Sequence, residues 1–214
     1  MEQAKTRHIP VRIEPAPAFD RLVPAGNHQG VIAFVAAKAY DTTEDILDAA
    51  RRKDEPPFLV ILDGVEDPHN LGAIIRTAEA AGVHGIVIPE RRAAGLTSVV
   101  AKTSAGALEH MRVARVVNLS RLIEQLKEAG VWIYGMDPEA SAEFTAIDMT
   151  GPIALVFGGE GGGIRRGIAQ ECDGLIRIPM RGRVESLNVS AAVAVTLFEG
   201  VRQRMLKGQA RSGA

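Results

Sequence analysis

From residue 58 onward the chain alternates between short apolar runs and stretches whose apolar residues recur every three or four positions. The runs at 58–62, 85–88, 112–117, 131–134, 153–157 and 174–178 predict strands. The first is apolar throughout, as a strand covered on both faces is. Between them, 71–81 has helical spacing, with Leu71, Ile74, Ile75 and Ala78 on one face. Further helices are predicted at about 98–102, at 119–129 with Gly130 as a terminating glycine, at 164–171, and from about 188 to 206. Strand–helix alternation with short links predicts a parallel, doubly wound α/β sheet with helices on both faces. Ligands of such sheets bind beyond the carboxyl ends of the strands. The unusual loops at 63–64, 135–137, 158–160 and 179–187 all follow strands, so one rim should hold them all.

The first 57 residues read differently. Residues 8–13 suggest a short strand, 19–22 a helical turn, and the β-branched run 31–36 another strand. Asp41, Thr42 and Thr43 offer an N-cap for a helix through Arg52, with Glu44 and Asp45 in its first turn. The polar, proline-bound stretch 53–57 places a boundary there.

Composition narrows the class. In 214 residues, 46% are hydrophobic and 24% charged, which excludes a wholly disordered chain. The single cysteine, Cys172, excludes an internal disulfide scaffold or a multi-cysteine zinc site. It reads as a small core residue suited to a reducing cytosol, so a cytoplasmic location is expected. The longest apolar run, 31–37, is too short to span a membrane, and the N-terminus has no apolar core for a secretion signal. His69 and His84 lack partners at metal-ligand spacing, so no metal site is expected. A formal net charge of −1 gives no support to nucleic-acid binding, but the charges are uneven. Arg91, Arg92, Lys102, Arg112 and Arg115 face only Glu109 in their stretch, a local +4. The tail after Gly200 carries Arg202, Arg204, Lys207 and Arg211 and no acid. Such runs permit a polyanionic partner and equally describe solvated helix faces.

The loop Gly158-Gly159-Glu160-Gly161-Gly162-Gly163 follows a strand and opens a helix. A dinucleotide fingerprint started at Gly159 would end on Ile164, and a phosphate-loop lysine is missing because Gly163 precedes Ile164 and Arg165. Glu160 would also repel a pyrophosphate. Backbone that approaches a ligand closely, beside one carboxylate, suits a group that is neutral or cationic there, such as a sulfonium. The plainer reading is a tight strand-to-helix turn, although five glycines in six residues exceed what one turn needs. Elsewhere, Asn70 reads as an N-cap, and Arg76 as either a solvated residue or an anion clamp. Ser186 or Asn188 reads as a cap for the last helix, and Asp63 and Asp67 as loop caps rather than acids. The alanines 191, 192 and 194 imply close packing against that helix, with a second subunit as one candidate.

Three segments occur together in order: DGVEDPHNLGAIIRTAEAAG at 63–82, LVFGGEGGGI at 155–164 and IRIPMRGRVESLNVSAAVAVTLFE at 176–199. They resemble the motifs of the SPOUT methyltransferase superfamily, in its SpoU/TrmH branch of S-adenosylmethionine-dependent RNA 2′-O-ribose methyltransferases. The resemblance covers about residues 58–207. The segment 26–31 is similar to the junction at which members with a ribosomal-L30-like N-terminal domain enter the catalytic domain. The bacterial 23S rRNA guanosine-2′-O-methyltransferases are of that kind. The organisation this implies is a remnant of an RNA-binding domain at 1–25, a junction at 26–57 and a catalytic domain at 58–214.

The resemblance implies a deep C-terminal trefoil knot and an obligate homodimer with active sites at the subunit interface. It implies S-adenosylmethionine contacts at Gly158, Gly159, Ile178, Leu187, Met136 and Met180. It carries catalytic or substrate-holding roles onto Arg76, Asn70, Glu160, Ser186 and Asn188. A guanidinium is essentially always protonated. Arg76 is therefore expected to bind a neighbouring RNA phosphate and stabilise the developing alkoxide, not to act as base. Glu160, Asn70, Ser186 and Asn188 should hold the site and orient the ribose, although Glu160 alternatively only fixes the glycine loop. Ribosomal RNA is the expected substrate and transfer RNA the alternative. Two rivals are a catalytically inactive RNA-binding or assembly factor with this fold, and a nucleotide-dependent oxidoreductase, which the failed fingerprint disfavours.

Overall fold

A computed structural model describes residues 4, 6–23, 30–34, 36 and 38–212. The chain divides into two compact units, Met1–Ala37 and Lys38–Ala214. In the first, helix α1 (Ala16–Leu22) starts from Pro15 at its N-cap, with Pro17 in its first turn, where the fixed proline φ suits helix entry. It contains the helical turn expected at 19–22. The strands expected at 8–13 and 31–36 do not form among the described residues of those segments. Ile9, Val11, Ile13, Val31 and Phe34 stay exposed. An isolated extended segment has no ladder to satisfy its backbone, so β propensity alone does not make it a strand. Residues 26–29 of the proposed junction lie outside the described residues.

The second unit carries the site. Its elements are α2 (Thr43–Lys53), β1 (Phe58–Asp63), α3 (Pro68–Ala80), β2 (Gly85–Pro89), α4 (Ser98–Thr103), β3 (Val113–Val116) and α5 (Leu119–Glu128). Then follow β4 (Trp132–Met136), β5 (Ala142–Glu143), β6 (Ile153–Gly158), α6 (Arg166–Glu171), β7 (Gly174–Arg177) and α7 (Val189–Ser212). The seven strands form one sheet in the order β3-β2-β1-β6-β4-β7-β5, and every pairing is parallel. The expected α/β architecture is therefore present. All carboxyl ends share one rim.

The period of two in β1 divides the core. Phe58, Val60 and Leu62 pack with Ile74, Ile75, Val193 and Leu197 on one face, and Leu59 and Ile61 pack with Ile46, Leu122 and Ile123 on the other. Both faces are covered, which is why β1 is apolar throughout. α2 begins on a reciprocal cap: the Asp45 N–H donates to Thr42 Oγ1, and the Thr42 N–H donates to the Asp45 carboxylate. α3 begins earlier than its apolar spacing suggests. Asp67 is the cap, accepting from the His69 N–H at 2.9 Å, and Pro68 opens the helix. Asn70, expected as the cap, instead lies inside the first turn. The short edge strand β5 has too few residues to leave a periodic signal.

His84 anchors the opposite end of β1. It is 3% exposed; its Nδ1 accepts from the Phe58 N–H at 3.1 Å, and its Nε2 lies 3.1 Å from Glu55 Oε2. The first bond requires a bare Nδ1, so the proton sits on Nε2 and is donated to Glu55. Burial holds the imidazole below its ordinary pKa, with Glu55 partly opposing. The folded chain thus binds this proton less readily than the unfolded chain. The stabilising effect is complete above about pH 6.5 and is lost as pH falls through the lowered folded value. His84→Gln is expected to flatten the fall of Tm between about pH 7 and pH 5. An unchanged slope would remove His84 from the acid transition.

Candidate active site

β6 ends in the glycine loop, and its backbone leaves no room for side chains. A Cβ on Gly158 would lie 1.8 Å from the Gly163 carbonyl carbon and 2.1 Å from its oxygen. A Cβ on Gly159 would lie 1.8 Å from the Gly64 oxygen, because the two loops touch there and the Gly159 N–H donates to Asp63 O at 2.9 Å. Gly161 and Gly163 hold φ of +82° and +62°. Backbone geometry thus explains four of the five glycines, and a Cβ at Gly162 would meet open space. The chemical content of the loop lies in what it lines.

Its exit is clamped by Asp63, the buried last residue of β1. Asp63 Oδ2 accepts from the Arg165 N–H at 2.9 Å, and Oδ1 accepts from Arg165 Nε at 2.7 Å and pairs with Nη2 at 2.7 Å. This two-pronged contact delays the start of α6 to Arg166. Asp63 therefore holds two loops in register, a role that sequence spacing did not indicate.

Above the clamp, three polar side chains from three segments meet. Glu160 Oε1 accepts from Asn70 Nδ2 at 2.6 Å and from Asn188 Nδ2 at 2.8 Å, and Asn188 Nδ2 also lies 3.1 Å from Asn70 Oδ1. Asn188 does cap α7: its Oδ1 accepts from the Ser190 N–H at 2.9 Å and from Ser190 Oγ at 2.6 Å. One amide thereby starts the last helix with its oxygen and ties Glu160 with its nitrogen.

A cleft of about 690 Å³ opens beside this network. Met136, Gly158, Gly159, Ile178, Met180 and Leu187 line it, together with Glu160, Ser186 and Asn188. Thr196 Oγ1 lies 3.8 Å from Met136 Sδ, a weak contact that sets the thioether against α7. A second hollow of about 350 Å³ shares Glu160 with the cleft and is also lined by Asn70, Glu66 and Asp67. The structure thus gathers every expected site residue except Arg76, which lines neither hollow. Arg76 is exposed on α3, six residues and about 9 Å of helix beyond Asn70. Asp137, Glu185 and Arg177 also line the cleft, and no motif singles them out; Asp137 immediately follows β4 and Arg177 ends β7.

The chemistry of the lining is specific. Glycine backbone and apolar side chains, among them Met136, Ile178, Met180 and Leu187, suit a flat ring, and three carboxylates against one guanidinium favour a cationic group over a polyphosphate. The residues therefore fit S-adenosylmethionine better than a nucleoside polyphosphate. Beyond the cleft, Val195, Phe198, Met205 and Leu206 are 40–60% exposed along α7, which packs on α3. Among the described residues no helix is long and apolar enough to cross a membrane.

A family model described as the SpoU rRNA methylase family matches residues 57–198. The Bacillus subtilis protein YacO, provisionally named a TrmH family tRNA/rRNA methyltransferase, is 49% identical over 98% of this chain and 84% of its own length. The Xanthomonas campestris 23S rRNA (guanosine-2′-O-)-methyltransferase RlmB is 47% identical over 95% of this chain and 82% of its own. Among solved structures, an AdoMet-bound rRNA methyltransferase from Sinorhizobium meliloti matches with a TM-score of 0.68 at 32% identity, over 77% of this chain and 61% of that one. The SpoU methyltransferase AviRb of Streptomyces viridochromogenes, in complex with AdoMet, matches with a TM-score of 0.67 at 29% identity, over 71% of this chain and 59% of that one. The chain thus spans about three fifths of either solved structure.

Proposed function

The chain belongs to the SpoU rRNA methylase family, and from that premise we propose that it methylates a ribose 2′-oxygen of structured RNA, a guanosine of 23S rRNA. S-adenosylmethionine, when bound, supplies an electrophilic methyl group on a sulfonium. The cleft residues Gly158, Gly159, Ile178, Leu187, Met136 and Met180 would hold it. The observation that carries the reading is the Asn70–Glu160–Asn188 network standing on the wall of that cleft.

In this reading the chain's own groups align and stabilise. Glu160, Asn70, Ser186 and Asn188 hold the wall and orient the ribose, so that its hydroxyl meets the donor in line. Arg76 binds the neighbouring phosphate and stabilises negative charge as the hydroxyl proton leaves through phosphate or water. Because Arg76 lies off the cleft within one chain, a homodimer with the site at its interface is part of the proposal. The exposed apolar stripe of α7, packed on the helix that bears Arg76, supports it. We further infer a C-terminal trefoil knot, supported by the return of Asn188 from the far strands to Asn70 and by the contact of Gly64 with Gly159. An RNA-binding segment at 1–25, the junction at 26–57, the catalytic domain at 58–214 and a cytoplasmic location complete the reading.

Incubation with methyl-labelled S-adenosylmethionine and either unmodified 23S rRNA or tRNA should place label at a 2′-oxygen of the former. Label in tRNA alone would redirect the substrate assignment. RNA binding with no transfer to either would favour an inactive assembly factor.

A further inference from the structure

Arg177 closes β7 at the rim and lines the donor cleft. Its Nε is buried and has no hydrogen-bond partner. Its register neighbour Glu143 on β5 makes no ion pair with it. Asp137, at the end of the adjacent strand β4, spends Oδ1 on the Glu139 N–H at 2.8 Å. The Arg177 side chain is half-buried and makes no hydrogen bond or ion pair among the described residues, so a cation that lines a cavity in this state favours an anion placed there. Three acids in the same cleft, Asp137, Glu160 and Glu185, make a polyanion a poor occupant. A zwitterion with one carboxylate and one ammonium matches the lining on both counts.

We infer that Arg177 is the anchor for the amino-acid carboxylate of the methyl donor, with the cleft acids complementing its ammonium. The inference rests on the donor assignment above and names one residue of this chain that sets specificity for the amino-acid tail. The guanidinium fork suits a carboxylate, which can take two parallel N–H donors.

Calorimetric titration with two probes tests it. S-adenosylhomocysteine carries the tail; 5′-methylthioadenosine shares the thioether and adenosine but lacks the tail. Arg177→Ala should weaken S-adenosylhomocysteine about 10- to 100-fold, the loss of a charge-assisted hydrogen bond. Methylthioadenosine should bind the variant within about twofold of the unaltered protein, which also reports that the cleft still folds. Arg177→Lys should recover part of the loss. Equal weakening of both probes would assign Arg177 a structural role and overturn the inference. So would unchanged binding of both with weaker RNA binding, which would give Arg177 to a phosphate. Failure of the unaltered protein to bind either probe would overturn the donor assignment itself, and this inference with it.

Discussion

Gly158→Ala is expected to abolish methyl-donor binding. The new Cβ would run into the peptide group that joins Gly163 to Ile164: the Gly163 carbonyl carbon at 1.8 Å, its oxygen at 2.1 Å and the Ile164 nitrogen at 2.2 Å. No rotamer change relieves a clash with main chain, so the loop that walls the cleft must move. Overpacking of this kind typically costs about 1–3 kcal/mol of stability. A displacement near 1 Å at a positioning site costs on the order of 100-fold in function. Titration with S-adenosylhomocysteine should therefore show affinity falling by at least about 100-fold, with a lowered Tm. Gly162→Ala is the control, since a Cβ there meets nothing. It should bind within about twofold of the unaltered protein. Normal binding by Gly158→Ala would mean that the glycine loop does not wall the donor site.

Arg76→Lys should lower kcat by about 10²–10³-fold while leaving donor affinity and Tm unchanged. The structural premise is its exposure: the side chain is out on α3, with no hydrogen bond or ion pair among the described residues. A surface change of that kind usually moves stability by less than about 0.5 kcal/mol. Lysine keeps the charge and loses the planar fork, so a role in gripping a phosphate and a developing oxyanion fails without disturbing the donor cleft. Single-turnover methyl transfer with parallel donor titration measures both quantities. Equal losses in the two would refute the role.

Much of the second unit is legible in the sequence because its elements are local. The all-apolar β1 and the 3–4 spacing of Leu119, Leu122, Ile123 and Leu126 each report their own burial. Gly130, with φ of +79°, stops α5 where its position after the last periodic residue suggests. The start of α3 lies ahead of the Asn70 cap that spacing suggests, and its signal is local too: Pro68 disfavours a helix interior but suits a first turn, which makes Asp67 the cap. The strands expected before residue 37 show the limit of propensity without a partner. The site itself depends on separations that no local pattern encodes. Asp63 and Arg165 are 102 residues apart, and Asn70 and Asn188 are 118 apart. Only the resemblance of three whole segments grouped Asn70, Glu160 and Asn188. Arg177 escaped even that, because within its segment it reads as one more residue of a strand.

The placement of Asn188 bears on when the protein becomes competent during its own synthesis. Its partner Asn70 leaves the ribosome early and Glu160 later, and neither meets its third neighbour until the segment bearing Asn188 has also emerged. Contacts of such long sequence separation form late, because the intervening chain must first be ordered. A nascent polypeptide halted just before residue 188 would carry all seven strands and an incomplete Asn70–Glu160–Asn188 network.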